Sequence, residues 1–65
     1  MRILVNGTWR ETAATDLASA LEDFGYGGST VATAVNGEFV PASLRPAAPL
    51  SEGDRLEVLA PMQGG

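Results

Sequence analysis

The tripeptide Val-Asn-Gly occurs twice, at residues 5–7 and 35–37. Each time it closes a short run with β-branched members, MRILV at 1–5 and VATAV at 31–35. Asn-Gly is the strongest short-range hairpin signal, because both residues tolerate the positive φ that a type I′ turn demands. Two such turns commit the chain to at least four strands. The first returning strand is TWRET at 8–12. A loop of two residues and one of three both fit, which leaves the facing of Trp9 open. After the second turn, EFV at 38–40 extends briefly before Pro41, which has no N–H for a ladder. The facing of Phe39 and Val40 is open as well.

Between the hairpins lies a helix. Thr15 can cap a free N–H, and Asp16 falls where the positive end of a helix dipole favours a carboxylate. Leu17, Leu21 and Phe24 recur at i, i+4 and i+7 and so share one face. Gly25, with Gly27 and Gly28 beyond it, ends the helix. Residues 42–50 are punctuated by Pro46 and Pro49 and read as an irregular crossing, and residues 51–54 (SEGD) as a turn. RLEVLA at 55–60 is the last strand, with Leu56, Val58 and Ala60 on one side and Arg55, Glu57 and Leu59 on the other.

One helix packed across one mixed sheet of four to five strands is the economical arrangement of these elements, an α+β class. With the first and last strands side by side at the centre, it is the β-grasp (ubiquitin-like) architecture. At 65 residues there is room for one domain, read as residues 1–61, followed by a short tail at 62–65. A chain this short buries only about 60% of its unfolded surface. It has no Cys for a disulfide and no Cys or His for a zinc site, so its 45% hydrophobic content must carry the fold.

Composition also narrows function. The formal charge is −4, and the basic residues Arg2, Arg10, Arg45 and Arg55 are scattered, which argues against nucleic-acid binding. No stretch approaches the roughly 20 apolar residues of a membrane span, and residues 1–5 are too short for a signal-peptide core. The chain reads as cytoplasmic. Without His or Cys it has neither an imidazole base nor a thiolate nucleophile. The pair Glu22-Asp23 reads as a solvated helix face, and Glu52 with Asp54 as turn chemistry. No catalytic and no metal-binding residue is assigned.

That leaves the closing residues, PMQGG. Leu59 faces away from the expected core with Pro61 and Met62 close behind, an apolar strip of the kind that docks a partner. From Met62 to Gly65 the chain can extend roughly 13 Å. Without side chains, Gly64 and Gly65 could pass through a narrow channel in another protein. Their reactive group would be the terminal carboxylate, electrophilic only once activated. A frayed end and a chemically used end both fit the glycines taken alone. The chain has no lysine. Either genome composition accounts for this, or the lack of ε-amines suits a chain that becomes an acyl donor.

Taken together, MRILVNG at the start, AVNGEFVP at 34–41, LSEGDRLEVLAP at 50–61 and the closing QGG resemble the ThiS family of bacterial sulfur carriers for thiamine biosynthesis. The resemblance spans essentially the whole chain and departs from the usual pattern at Ala42-Ser43, where a polar residue or Arg often follows the Val-Pro. It implies a β-grasp carrier that binds no cofactor and catalyses nothing itself. A ThiF-type, E1-like adenylyltransferase would adenylate the Gly65 carboxylate with ATP and Mg. A sulfur donor derived from a cysteine desulfurase would convert the adenylate to a thiocarboxylate. The thiazole synthase ThiG would then take the sulfur. Gly65 would be the modified residue, Gly64 and Gln63 would thread, and Leu59, Pro61 and Met62 would contact the partner. The same fold and tail also serve molybdopterin synthesis, other sulfur-transfer pathways and ubiquitin-like protein modification.

Overall fold

The structure is a computed structural model that describes residues 1–27 and 30–60. Both Asn-Gly turns form. Asn6 (φ 49°) and Gly7 (φ 85°) reverse the chain between β1 (Arg2–Val5) and β2 (Thr8–Glu11). Asn36 (φ 51°) and Gly37 (φ 87°) do the same between β3 (Ala32–Val35) and β4 (Glu38–Val40). Positive φ at both central residues is the type I′ signature, and its twist matches that of the flanking strands. The closing pairs are Val5 with Thr8 and Val35 with Glu38, so each loop has two residues.

The last strand, β5 (Arg55–Leu59), joins the two hairpins into one five-stranded sheet of order β2-β1-β5-β3-β4. It runs parallel to β1 and antiparallel to β3. The first and last strands are thus neighbours at the centre of the sheet.

Alternation along the strands gives the sheet one packed face. Ile3 and Val5 of β1 and Leu56 and Val58 of β5 are buried there against Leu17, Ala20 and Leu21 of α1 (Leu17–Asp23) and its C-cap residue Phe24. Val40 lies on this face as well, partly buried against the core. The helix starts one residue later than a Thr15 cap would place it. Asp16 is extended (φ −129°, ψ 161°) and its carboxylate accepts from the Ser19 N–H at 2.9 Å and the Ser19 hydroxyl at 2.9 Å. The reason is tertiary: the Thr15 carbonyl accepts from the Leu50 N–H at 3.0 Å, and Asp16 bridges to Pro49, so both are held extended against the returning chain. At the other end Gly25 takes φ 96°, the Tyr26 N–H reaches the Leu21 carbonyl at 2.8 Å, and the Gly25 N–H reaches that of Glu22 at 3.1 Å. This is a Schellman stop, which satisfies carbonyls the helix would otherwise orphan.

The crossing is not irregular. Residues Ala42–Ala47 form a 3₁₀ helix entered from Pro41, with the Leu44 N–H bonded to the Pro41 carbonyl at 2.9 Å. Its anchor is Arg45, whose guanidinium donates to the Val31 carbonyl and, at 3.1 Å, to the Thr33 hydroxyl. The Thr33 hydroxyl in turn donates to the Val40 carbonyl at 2.8 Å, so this buried threonine is fully used. A run with prolines needs such a tether, because short 3₁₀ segments hold poorly on their own hydrogen bonds. The strand reading of 55–60 also needs one correction: Ala60 lies past the end of β5 and is exposed, beyond the ladder that would have turned it inward.

Candidate functional site

The helix covers one face of the sheet and leaves the other open. Pairing fixes which residues lie on it, because partners opposite each other in a ladder share a face. Leu4 pairs with both Trp9 and Arg55, Ala34 pairs with Glu57 and Phe39, and Ala32 pairs with Leu59. All of these point away from the helix.

The resulting surface has an apolar strip and a charged middle. Leu59, at the end of β5, is 67% exposed and Phe39 is 69% exposed, with Ala32 and Ala34 on the strand between them. Leu44 of the 3₁₀ helix, also exposed, joins Phe39 and Pro41 around an apolar cleft at the sheet edge. On the other side of β5, Trp9 is 48% exposed and carries the Arg2 guanidinium 4.7 Å from its ring centroid. Single exposed apolar residues are ordinary, whereas a contiguous apolar strip is a surface of the kind a partner can cover.

A second, shallow cleft lies between these halves, lined by Leu4, Asn6, Gly7, Arg55, Glu57 and Leu59. Asn6 is the first turn's leading residue, and its side chain reaches across to β5. Its Oδ1 accepts from the Val58 N–H at 2.9 Å and its Nδ2 donates to the Val58 carbonyl at 3.0 Å.

Sequence reasoning placed Leu59 on the open face, and it is there. Pro61, Met62, Gln63, Gly64 and Gly65 lie outside the described residues. The open-face positions of Trp9 and Phe39 follow from the two-residue loops. With a three-residue first loop Trp9 would have faced the helix, so loop length was the missing signal.

Three of the four paired carboxylates, Asp23, Glu52 and Asp54, are engaged in local structure. Asp23 accepts from the buried Thr12 hydroxyl at 2.6 Å, which makes it more than a solvated helix residue. Glu52 accepts from the Arg2 N–H at 3.0 Å, and Asp54 accepts from the Ser51 N–H at 2.8 Å and from Asn36 Nδ2 at 3.0 Å. Asp16 has its carboxyl held below the usual carboxylate range by the Ser19 N–H and then by the Ser19 hydroxyl. Among the described residues no three His, Cys, Asp or Glu side chains gather as metal ligands, and no helix is long and apolar enough to cross a membrane.

Comparison with known proteins follows the same lines. The fold matches the crystal structure of a thiamine biosynthesis protein, ThiS, from Geobacter metallireducens, with a TM-score of 0.83 and 25% identity over the full length of both chains. It also matches the NMR solution structure of a thiamine biosynthesis protein from Geobacter metallireducens, with a TM-score of 0.76 and 25% identity, covering all of this chain and 88% of the other. No curated protein matches the chain. The family model for ThiS matches residues 3–65, which is nearly every residue from β1 through the closing Gly-Gly. With its β-grasp sheet and that match, the chain belongs to the ThiS family of sulfur carriers.

Proposed function

We propose that the chain carries sulfur on the carboxylate of Gly65 for assembly of the thiazole of thiamine. An E1-like, ThiF-type adenylyltransferase joins that carboxylate to the α-phosphate of ATP, with Mg on the nucleotide, and releases pyrophosphate. The terminal sulfur of a persulfide charged by a cysteine desulfurase then attacks the adenylate and displaces AMP. A further thiol cleaves the resulting acyl disulfide to leave a thiocarboxylate and a disulfide, and the thiazole synthase ThiG withdraws the sulfur. The carrier works in the cytoplasm as a co-substrate of these enzymes. Residues 1–61 act as the body the partners grip, and residues 62–65 as the tail that enters their active sites.

The observation that carries this reading is the family match, which runs through Gly64 and Gly65. The exposed strip at Leu59 and Phe39 supports it, since an activating enzyme must hold the body while the tail is adenylated. Leu59, Pro61 and Met62 contact that partner, while Gln63 and Gly64 thread. The acidic body, net −4, suits partners with basic docking faces and raises encounter rates more than affinity.

The test is ATP–pyrophosphate exchange with a ThiF-type enzyme. The intact chain should support exchange, and deleting Gly64-Gly65 should abolish it with the melting temperature unchanged. Exchange that survives the deletion, or that never occurs with a competent enzyme, would refute the reading.

A further inference from the structure

In a parallel ladder each residue bonds to the two residues that flank its partner on the neighbouring strand. The β1–β5 pair follows this rule at first: the Leu4 N–H donates to the Asp54 carbonyl at 2.9 Å and the Asn6 N–H to the Leu56 carbonyl at 3.0 Å. The paired residues end at Val5 and Leu56, because the Asn6-Gly7 turn then carries the chain back toward β2. One further rung would need a main-chain carbonyl and N–H opposite Val58.

The Asn6 side chain supplies both, its Oδ1 taking the Val58 N–H and its Nδ2 the Val58 carbonyl. A carboxamide presents the same acceptor and donor as a peptide unit. Asn6 therefore combines two jobs, a positive φ for the turn and one extra rung for the sheet.

That rung falls on the residue just before Leu59, where β5 ends. We propose that Asn6 is a positioning residue for the tail: its carboxamide carries the β1–β5 ladder through Val58 and thereby holds Leu59 and Ala60, the root from which the Gly65 end is presented. This rests on the reading of Gly65 as the activated end. Ala32 of β3 holds Leu59 from the other side, so without the Asn6 rung the end of β5 is gripped by one neighbour only. That looser root would leave more backbone to be ordered each time an active site takes the tail, so the loss should fall on KM more than on kcat.

The second Asn-Gly turn provides a matched control. Asn36 also brackets β5, but at its start: its Oδ1 accepts from the Arg55 N–H at 3.0 Å and its Nδ2 donates to Asp54 at 3.0 Å. Asn6→Gly and Asn36→Gly each keep a residue that accepts positive φ, so both turns survive, and each removes one carboxamide bracket.

Both variants are assayed for adenylation by the ThiF-type enzyme, and backbone order parameters are measured at Leu59 and Ala60. Asn6→Gly should raise KM by about tenfold, the ordering of roughly one more backbone residue, with kcat within about twofold. It should also lower the order parameters at Leu59 and Ala60. Asn36→Gly should leave all three quantities near wild type. An equal KM effect from the two variants, or an unchanged KM in Asn6→Gly, would overturn the proposal. If the unaltered chain is not adenylated at all, the carrier reading falls, and the order parameters decide alone: no change at Leu59 and Ala60 in Asn6→Gly overturns the positioning role too.

Discussion

Replacing Leu59 by Ala separates the two faces of β5. Leu59 is 67% exposed, so about a third of its surface is already covered within the chain. Full burial of a leucine side chain is worth ~1.5–3 kcal/mol, so the substitution should cost the fold no more than about 1 kcal/mol. The exposed remainder is what a partner can cover, about 1 to 2 kcal/mol, which corresponds to a rise in KM of about five- to thirtyfold. Leu56, three residues earlier, is fully buried on the other face. Leu56→Ala should cost ~2–5 kcal/mol, a large share of the roughly 3 to 10 kcal/mol that holds a domain of this size. Urea unfolding gives the stability term and ATP–pyrophosphate exchange against carrier concentration gives the KM. The reasoning fails if Leu59→Ala leaves KM within twofold of wild type. It fails equally if Leu59→Ala destabilises the fold as much as Leu56→Ala does.

Other substitutions probe the supports of the sheet and helix. Thr12→Val removes a buried hydroxyl that donates to Asp23 and accepts from the Ala14 N–H. It should lower unfolding free energy by about 1 to 2 kcal/mol in urea melts. Arg45→Met frees the Val31 carbonyl and the 3₁₀ helix from β3, with an expected loss of about 1.5 to 3 kcal/mol and faster amide exchange in residues 42–48. Asp16 is held below its ordinary pKa of 3.8 by bonds it makes only when folded. Its contribution is therefore fully present above that pH and is lost as pH falls through the depressed value. Asp16→Asn keeps a capping oxygen without the charge, so stability curves of the two proteins should converge as pH drops below about 3.8.

Local chemistry in the sequence went far toward the architecture. The two Asn-Gly turns require positive φ at both positions, and few other structures make use of that pair. The helix was legible from Leu17, Leu21 and Phe24, and its end from Gly25, because period and stop signal agree. Choices set by distant residues were not legible. Thr15 and Asp16 are both good caps, and the pairing with Pro49 and Leu50 selects between them. Residues 42–47 have no periodicity of their own and become a 3₁₀ helix because Arg45 finds Val31 and Thr33 across the sheet edge. On the candidate site, Leu59 could be placed from the alternation of β5 alone. Trp9 and Phe39 needed the loop length, since one extra residue would have turned each to the opposite face. The side-chain rung from Asn6 to Val58 joins residues from opposite ends of the chain, and no local signal announces it.

The central claim is that Gly65 bears the transferred sulfur. The chain lacks cysteine, so a thiol-alkylating reagent has no competing thiol on the protein. The protein is incubated with ATP, a ThiF-type enzyme and a sulfur source, alkylated, and mapped by fragmentation mass spectrometry. Fragmentation matters because oxidation of Met1 or Met62 adds nearly the mass that sulfur-for-oxygen exchange adds. The account predicts a single alkyl label on Gly65 that depends on ATP and disappears when Gly64-Gly65 are deleted. An adenylated Gly65 that never acquires a label, with the chain instead joined to lysines of other proteins, would contradict it.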